Sequence, residues 1–322
     1  MVQSLFPMKI IVLIVTYNGQ QWLNKCLSSL TRSTLPLDVV VVDNASSDKT
    51  LEILGDYKIS KLFALDENLG FGKANNVGIK YAIDQSADYV FLLNQDAWIR
   101  PDTIQQLVEA SLRNPEYYIL SPLHLEGTET KFDHNFRNYM SPPLCMDLLS
   151  DLENNKENLR DVYETVFVNA ALWLLPKACL TKIGGFDPIF AHYGEDNDLT
   201  KRVRYHGYKV GICPKAVGVH DRFQPNDLQA DPKFIKTVKR LQTDALIRLK
   251  DINVPLKSIM RKFFTNSLRR TAKDLLKLNL PEFTKELKVM YFAAGKLMKI
   301  REHRRISEQL EAPLQWLPNI PK

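Results

Sequence analysis

The run KIIVLIVTYNG at residues 9–19, followed by LDVVVVDNASSD at 37–48, decides the fold. Each is a short apolar, β-branched run that ends in polar turn residues, as a buried strand does. Between them, GQQWLNKCLSSL at 19–30 repeats Trp22, Leu23, Cys26, Leu27 and Leu30 on one helical face. The same alternation continues through SDKTLEIL at 47–54, DYVFLLN at 88–94 and PDTIQQLVEASLRN at 101–114, where Pro101 takes a first-turn position and Pro115 closes the helix. From Met8 to about Val219 the pattern therefore predicts an α/β fold around a mostly parallel sheet.

Two stretches break the alternation. Residues 124–160, with SPPLC at 141–145 and DLENNKENLR at 151–160, show no clear period and are expected to form a long loop or lid. After Asp231 the apolar spacing is helical only, and Pro255 and Pro281 divide it into segments. The expected organisation is an α/β domain over 1–232 and a helical region over 233–322.

Composition excludes several classes. A chain of 322 residues, 45% apolar and 25% charged, is globular and not disordered. The apolar run Ile10–Val15 is far short of the ~20 residues that cross a bilayer. Cys26, Cys145, Cys179 and Cys213 lie tens of residues apart with no C-x-x-C pair, which argues against a zinc site or a disulfide framework and for a reducing, cytoplasmic setting. Charge is unevenly spread: residues 236–306 hold 19 Lys and Arg against 6 Asp and Glu, so this segment is +13 and the remainder of the +6 chain is −7. Such a segment is attracted to phosphate, in lipid headgroups or in nucleic acid.

In a parallel sheet the carboxyl ends of the strands open onto one crevice where ligands bind. Asp43, ending the second strand, would accept hydrogen bonds from a base or ribose there, or else shape a turn with Ser46. The loop NLGFGKANNVGI at 68–79 places Gly70, Gly72 and Lys73 at a helix start, a place for an anion. The third glycine of a dinucleotide fingerprint is absent, with Asn75 standing there, which demotes a nicotinamide-dependent oxidoreductase. NQDAW at 94–98 sets Asn94 and Asp96 at a strand end, where one carboxylate with substrate phosphate oxygens would hold Mg²⁺ or Mn²⁺. Farther on, Gly184 and Gly185 allow a tight turn beside an acceptor, Trp173 and Phe186 offer rings for a sugar to stack on, and Glu195, Asp196 and Asp198 open a helix. His220 is either a metal ligand or a structural histidine.

Taken in order, VTYNG, VVDNASSD, NLGFGKANNVGI, LLNQDA, IGGFD, YGEDNDL and the later His220 resemble the family 2 glycosyltransferases, in particular the rhamnosyltransferase-like members. The resemblance spans residues 9–220. It implies the glycosyltransferase A-type fold, with the nucleotide held by Thr16, Tyr17, Asn18, Asp43, Asn44, Gly70, Phe71, Lys73, Asn76, Asn94 and Gln95. It makes Asp96 the metal-binding member of the family's D-x-D motif, whose first Asp is Asn94 here. It also makes Asp196, with Glu195 beside it, the catalytic base, and brings His220 to the metal or the diphosphate.

The implied activity is inverting transfer of a hexose or deoxyhexose, rhamnose among them, from a UDP- or dTDP-sugar to a hydroxyl of a growing cell-surface polysaccharide or lipid-linked oligosaccharide. Trp173, Gly184, Gly185 and Phe186 would meet the acceptor. A non-catalytic sugar-nucleotide binder of the same fold would keep Asp43 without needing Asp196. The basic 236–306 segment has few interleaved aromatics and no nucleic-acid motif, so no nucleic acid partner is expected. Either it lies on an anionic membrane, with Phe263, Phe264, Met290, Tyr291 and Phe292 inserting, or it packs on the body or a second copy as a homodimer. The expected location is cytoplasmic, peripheral on the inner face of the membrane.

Overall fold

The computed structural model describes residues 8–191, 193–222 and 233–320. Strands β1 (Ile10–Thr16), β2 (Asp38–Asp43), β3 (Lys61–Ala64) and β4 (Tyr89–Asn94) pair in parallel in the order β3-β2-β1-β4. Burial on both faces explains the continuous apolar sequence of β1, β2 and β4. Thr16 stands opposite Asp43, and Val15 opposite Asn94, so the ends of β1, β2 and β4 finish level and deliver their polar residues to one crevice.

Beyond β4 the sheet is mixed. Strand β8 (Leu172–Pro176) runs antiparallel to both β4 and β6 (Tyr117–Leu125). Strand β9 (Lys209–His220) pairs in parallel with β6 and antiparallel with β5 (Ala97–Ile99) and β7 (Tyr163–Thr165). This sets Ala97 opposite His220, next to Asp96.

Helices cover both faces. On one side α1 (Leu23–Leu30), α2 (Thr50–Leu54) and α4 (Thr103–Arg113) bury Leu23, Cys26, Leu27, Leu54, Ile104 and Leu107 against the sheet. On the other, α3 (Phe71–Asp84), α7 (Lys177–Lys182) and α8 (Glu195–Tyr205) bury Ala74, Val77, Ile79, Leu180, Leu199 and Val203. All four cysteines are free and buried, and burial pushes their thiols up.

The stretch 124–160 is not the loop its sequence suggests. It holds two short helices, α5 (His134–Tyr139) and α6 (Leu148–Glu153), and buries Phe136, Met140, Cys145 and Leu148 in the main core. Helices of six residues are too short to show a period, which is why the pattern was illegible.

The C-terminal part is helical as expected: α9 (Lys233–Lys250), α10 (Leu256–Leu276), α11 (Leu280–Ser307) and a 3₁₀ turn at Ala312–Trp316. Pro255 precedes α10, and Pro281 sits in the first turn of α11, where its missing N–H costs nothing. The expected boundary at 232/233 adjoins residues 223–232, which lie outside the described residues. The three helices do not stand apart from the body. Ile189 and Phe190 join Leu246, Leu249, Ala293 and Ile300 in one buried cluster, against which Phe263, Phe264 and Phe292 pack. Those three aromatics therefore face inward and are not available for a membrane, contrary to the sequence reading; Tyr291 alone of the five is exposed.

A buried ion network fastens the two parts. Lys250 Nζ lies 2.8 Å from Asp187 and 3.1 Å from Asp198, and also donates to Ser307 Oγ at 2.7 Å. Asp198 pairs with Arg202 at 2.7 Å, and His303 Nδ1 bonds Asp187. Arg202 donates to the Ile183 and Gly185 carbonyls, so the 183–187 loop, α8, α9 and α11 meet at one point. Burial alone would raise the Asp187 carboxyl, but His303 and Lys250 outweigh it and hold it below the usual carboxylate value. Lys250→Met would keep the volume while leaving two buried carboxylates short of a partner. The expected loss is about 3–5 kcal/mol in the denaturant midpoint, the usual penalty for breaking a buried pair; a change below ~1 kcal/mol would refute the network's structural role.

Candidate active site

The crevice is built from loops that hold one another. Asp43 is buried and takes hydrogen bonds from Thr16 Oγ1 at 2.8 Å, Ser46 Oγ at 2.6 Å and Ser46 N at 2.9 Å. Ser46 Oγ in turn accepts from Asn18 N, and Asn18 Oδ1 accepts from Ser47 N. The carboxylate thus ties the ends of β1 and β2 together, the turn-shaping role that competed with ligand binding in the sequence. One acceptor direction on Oδ2 is left over. Beside it, Tyr17 and Gln95 exchange two hydrogen bonds, Tyr17 N to Oε1 at 2.8 Å and Nε2 to Tyr17 O at 3.0 Å. Tyr17 itself is 46% exposed.

Asn44 carries the next link. Its side chain donates to Asn68 Oδ1 and accepts from Leu69 N, both at 2.8 Å, and Asn68 also accepts from Gly70 N. Gly70 has φ +80°, and a Cβ there would come within 2.4 Å of the Ala191 carbonyl, so only glycine fits between α3 and the loop before α8. The first turn of α3 has no capping side chain and no acidic residue, leaving its N–H groups for an anion. Lys73 is exposed on that turn. A Cβ on Gly72 would lie 3.5 Å from Glu195, which places the acid pair against the same turn.

Several expected contacts are not made. Asn76 is buried and spends both amide atoms on the Phe186 backbone, each at 2.8 Å, so it is a strut and not a nucleotide ligand. Trp173 and Phe186 are fully buried and stacked on each other, and neither presents a face for a sugar. Phe71 meets Phe186 edge to face. Gly184 and Gly185 pack against the C-terminal tail: a Cβ on Gly184 would fall 2.9 Å from Pro313, and one on Gly185 2.9 Å from Leu317. The tight turn thus serves closure of the chain's own tail, where an acceptor was expected.

Asp96 and His220 do come together. His220 Nε2 is 3.4 Å from Asp96 Oδ1, and its buried Nδ1 has no hydrogen-bond partner among the described residues. A half-buried carboxylate facing an imidazole suits Mg²⁺ or Mn²⁺ if substrate oxygens complete the sphere. Among the described residues no group of three or more His, Cys, Asp or Glu would hold a metal unaided. Asn94 closes the strand end with its backbone on Ala171 O at 2.9 Å. Beneath His220 lies His124, which the sequence did not single out. It is buried, edge-on to His220, stacked on Phe136 and bonded to Ser121, and burial and His220 hold it neutral.

Glu195 and Asp196 open α8, where Gly194 has φ +99°. Glu195 is 6% exposed, and among the described residues its Oε2 has no hydrogen-bond partner. Burial, then the neighbouring Asp196 charge, push its carboxyl up to about 7. Asp196 is raised by burial too, but its Oδ1 accepts from Asn197 N at 2.7 Å. Burial thus raises both carboxyls of the pair. An unpartnered buried oxygen with a raised carboxyl value marks a working group more than a structural one.

Residues 11–181 match the family described as Glycosyl transferase family 2. The dTDP-rhamnosyl transferase of Shigella flexneri is 30% identical over 260 residues, 79% of this chain and 76% of that protein. The O-antigen chain rhamnosyltransferase of Salmonella typhimurium is 27% identical over 224 residues, 66% of either chain. The poly(ribitol-phosphate) β-N-acetylglucosaminyltransferase TarS of Staphylococcus aureus is 33% identical over 105 residues, only 18% of its length, so the chain spans less than two thirds of some of these relatives. Solved structures share the fold: TarS 1-349 with UDP-GlcNAc has TM-score 0.56 at 18% identity, covering 96% of this chain and 90% of that one. A Pyrobaculum calidifontis mannosyltransferase with GDP-Man and Mn²⁺ has TM-score 0.50 at 19% identity, covering 90% and 87%. The chain belongs to the family 2 glycosyltransferases and has their glycosyltransferase A-type fold.

The raised Glu195 carboxyl sets a pH dependence. Its folded value near 7 lies above the ordinary 4.5, so the fold favours the protonated form. Its contribution is complete below pH ~4.5 and is lost as pH rises through ~7, up to about 3 kcal/mol. Glu195→Gln should therefore melt higher than wild type at pH 8 and show a flatter stability slope between pH 5 and 8. Identical slopes in calorimetry would mean that Glu195 is ionised throughout.

Proposed function

We propose, taking family 2 membership as the premise, that the chain moves a hexose or deoxyhexose, rhamnose first among them, from a UDP- or dTDP-sugar to a hydroxyl with inversion. The acceptor is a growing cell-surface polysaccharide or a lipid-linked oligosaccharide. One observation carries the reading: the uncapped first turn of α3, suited to phosphate, lies against the helix start that carries Glu195 and Asp196. An anion-holding turn and a proton-accepting pair then share one crevice. The names of the Shigella and Salmonella relatives support rhamnose.

In this reading the nucleoside lies over Tyr17 and the Asn18–Ser46 loop, with the left-over acceptor direction of Asp43 towards the base. Asn44 and Gly70 act by holding the 68–70 loop, so that the α3 N–H groups and Lys73 meet the diphosphate. Asp96 and His220 would hold Mg²⁺ or Mn²⁺, which offsets charge on the departing diphosphate. Asp196 takes the proton from the acceptor hydroxyl as it attacks the anomeric carbon. Beside it, burial and the Asp196 charge push the Glu195 carboxyl up to about 7, which lessens the negative charge that the diphosphate meets near neutrality. Attack opposite the leaving group needs no enzyme nucleophile. A merely sugar-nucleotide-binding role would give Glu195 no reason to remain buried and unpartnered. Four buried thiols suit the cytoplasmic side, at the inner face of the membrane, as the location.

Two variants test the assignment. Asp196→Asn should bind UDP or dTDP as wild type does but transfer about 10²–10⁴-fold more slowly, the usual worth of a general base; retained turnover there, with loss in Glu195→Gln, moves the base one residue back. Asp96→Ala should melt as wild type does alone, yet lose the Mn²⁺-dependent rise in melting temperature that a nucleoside diphosphate gives. Equal Mn²⁺-dependent shifts in both proteins would remove Asp96 from the metal.

A further inference from the structure

Helix α11 carries two apolar stripes on opposite sides. Val289, Ala293, Ile300 and Ser307 are buried and share the face packed on the body. Leu280, Leu287, Tyr291 and Met298 recur at about two, three and five turns from the first, which aligns them on the reverse face. All four are exposed, Tyr291 at 84% and Met298 at 83%. At the tip of the α10–α11 hairpin this stripe meets Leu275, Leu276 and Leu278, the last two 86% and 81% exposed. A hairpin end of bare leucines continuous with an apolar stripe is far from the scattered single residues that ordinary surfaces carry.

Charge identifies what covers it. Residues 261–288 hold eight Lys and Arg against three Asp and Glu, among them the exposed Lys273, Lys277 and Lys288 beside the leucines. An isologous contact with a second copy would bring two such basic faces together, which their repulsion opposes. An anionic lipid surface satisfies both features at once: leucines enter the acyl boundary while lysines remain at the headgroup phosphates. No described helix is long and apolar enough to cross a membrane, so contact by this face is peripheral. We propose that the α10–α11 hairpin tip, Leu275, Leu276, Leu278 and Leu280 with the Leu287–Tyr291–Met298 stripe, is the surface by which this protein docks on anionic membrane. The inference rests on the transferase reading only in that a lipid-linked acceptor would lie at such a surface.

Flotation of the full chain with phosphatidylcholine vesicles, with and without phosphatidylglycerol, tests it without any turnover. Wild type should float with the anionic vesicles, less so in high salt, and remain behind with neutral ones. The double substitution Leu276→Asp with Leu278→Asp should lower the vesicle-bound fraction roughly tenfold or more, since each leucine withdrawn from the acyl boundary removes a large part of the partition energy. Its melting shift with UDP or dTDP and Mn²⁺ should equal that of wild type, which separates a failed docking surface from a failed donor site. Wild type that remains soluble at low salt, or a double variant that floats as well as wild type, overturns the proposal. So does sedimentation showing a dimer that the same two substitutions dissociate, which would assign the face to a second copy.

Discussion

The contact of Lys250 with Asp187 and Asp198 is the constraint on which the arrangement of the site depends. A lysine nearly devoid of solvent is tolerable only when its charge is matched, and here two carboxylates match it. Each partner fixes something else. Asp198 sits one turn into α8, so holding it sets the rotation of the helix whose first residues are Glu195 and Asp196. Asp187 ends the 183–187 loop, which Asn76 ties to α3 and Arg202 ties to α8. The basic helical part thus completes the site from behind, although its sequence reads as an appendage. Trp316 closes the network, stacked on His303 and lying under Arg202 and Lys250.

The same network explains what the sequence could and could not tell. Strands β1, β2 and β4, the helical faces of α1 and α4 and the three C-terminal helices were legible because each is a long or strongly periodic run. The positions of Asp43, Asn44, Asp96 and His220 at strand ends and of Gly70, Glu195 and Asp196 at helix starts were legible from the polar residues that end each apolar run, while their roles belong to the proposed reading. Asn76, Trp173, Phe186, Gly184 and Gly185 were misassigned for one reason: their partners lie far along the chain. Nothing local says that Pro313 and Leu317 will fold back onto a glycine pair at 184–185, or that an asparagine at 76 will bond the backbone of 186. His124 was missed on similar grounds, since only the β6–β9 pairing brings it beneath His220. Lys250 carries no mark in sequence that separates it from the other lysines of α9.

Charge balance then limits how a donor can bind. The body outside the basic segment is −7, and Asp96, Glu195 and Asp196 all border the crevice. A diphosphate approaching it meets repulsion before any contact forms. The open first turn of α3 offsets about 0.3–1 kcal/mol of this, and Lys73, being exposed, adds a screened charge of similar worth. Neither suffices against a group of that charge. Raising the Glu195 carboxyl to about 7, as its burial does, leaves it only partly charged near neutrality and so weakens one of the three repulsions. On the proposed reading a divalent cation at Asp96 and His220 turns the second from repulsive to attractive. On the same reading Asp196, beside Glu195 at the start of α8, is the group that takes the proton from the incoming hydroxyl. On that reading the raised carboxyl value of Glu195 and the pairing of Asp96 with His220 both lower the negative charge that the diphosphate meets.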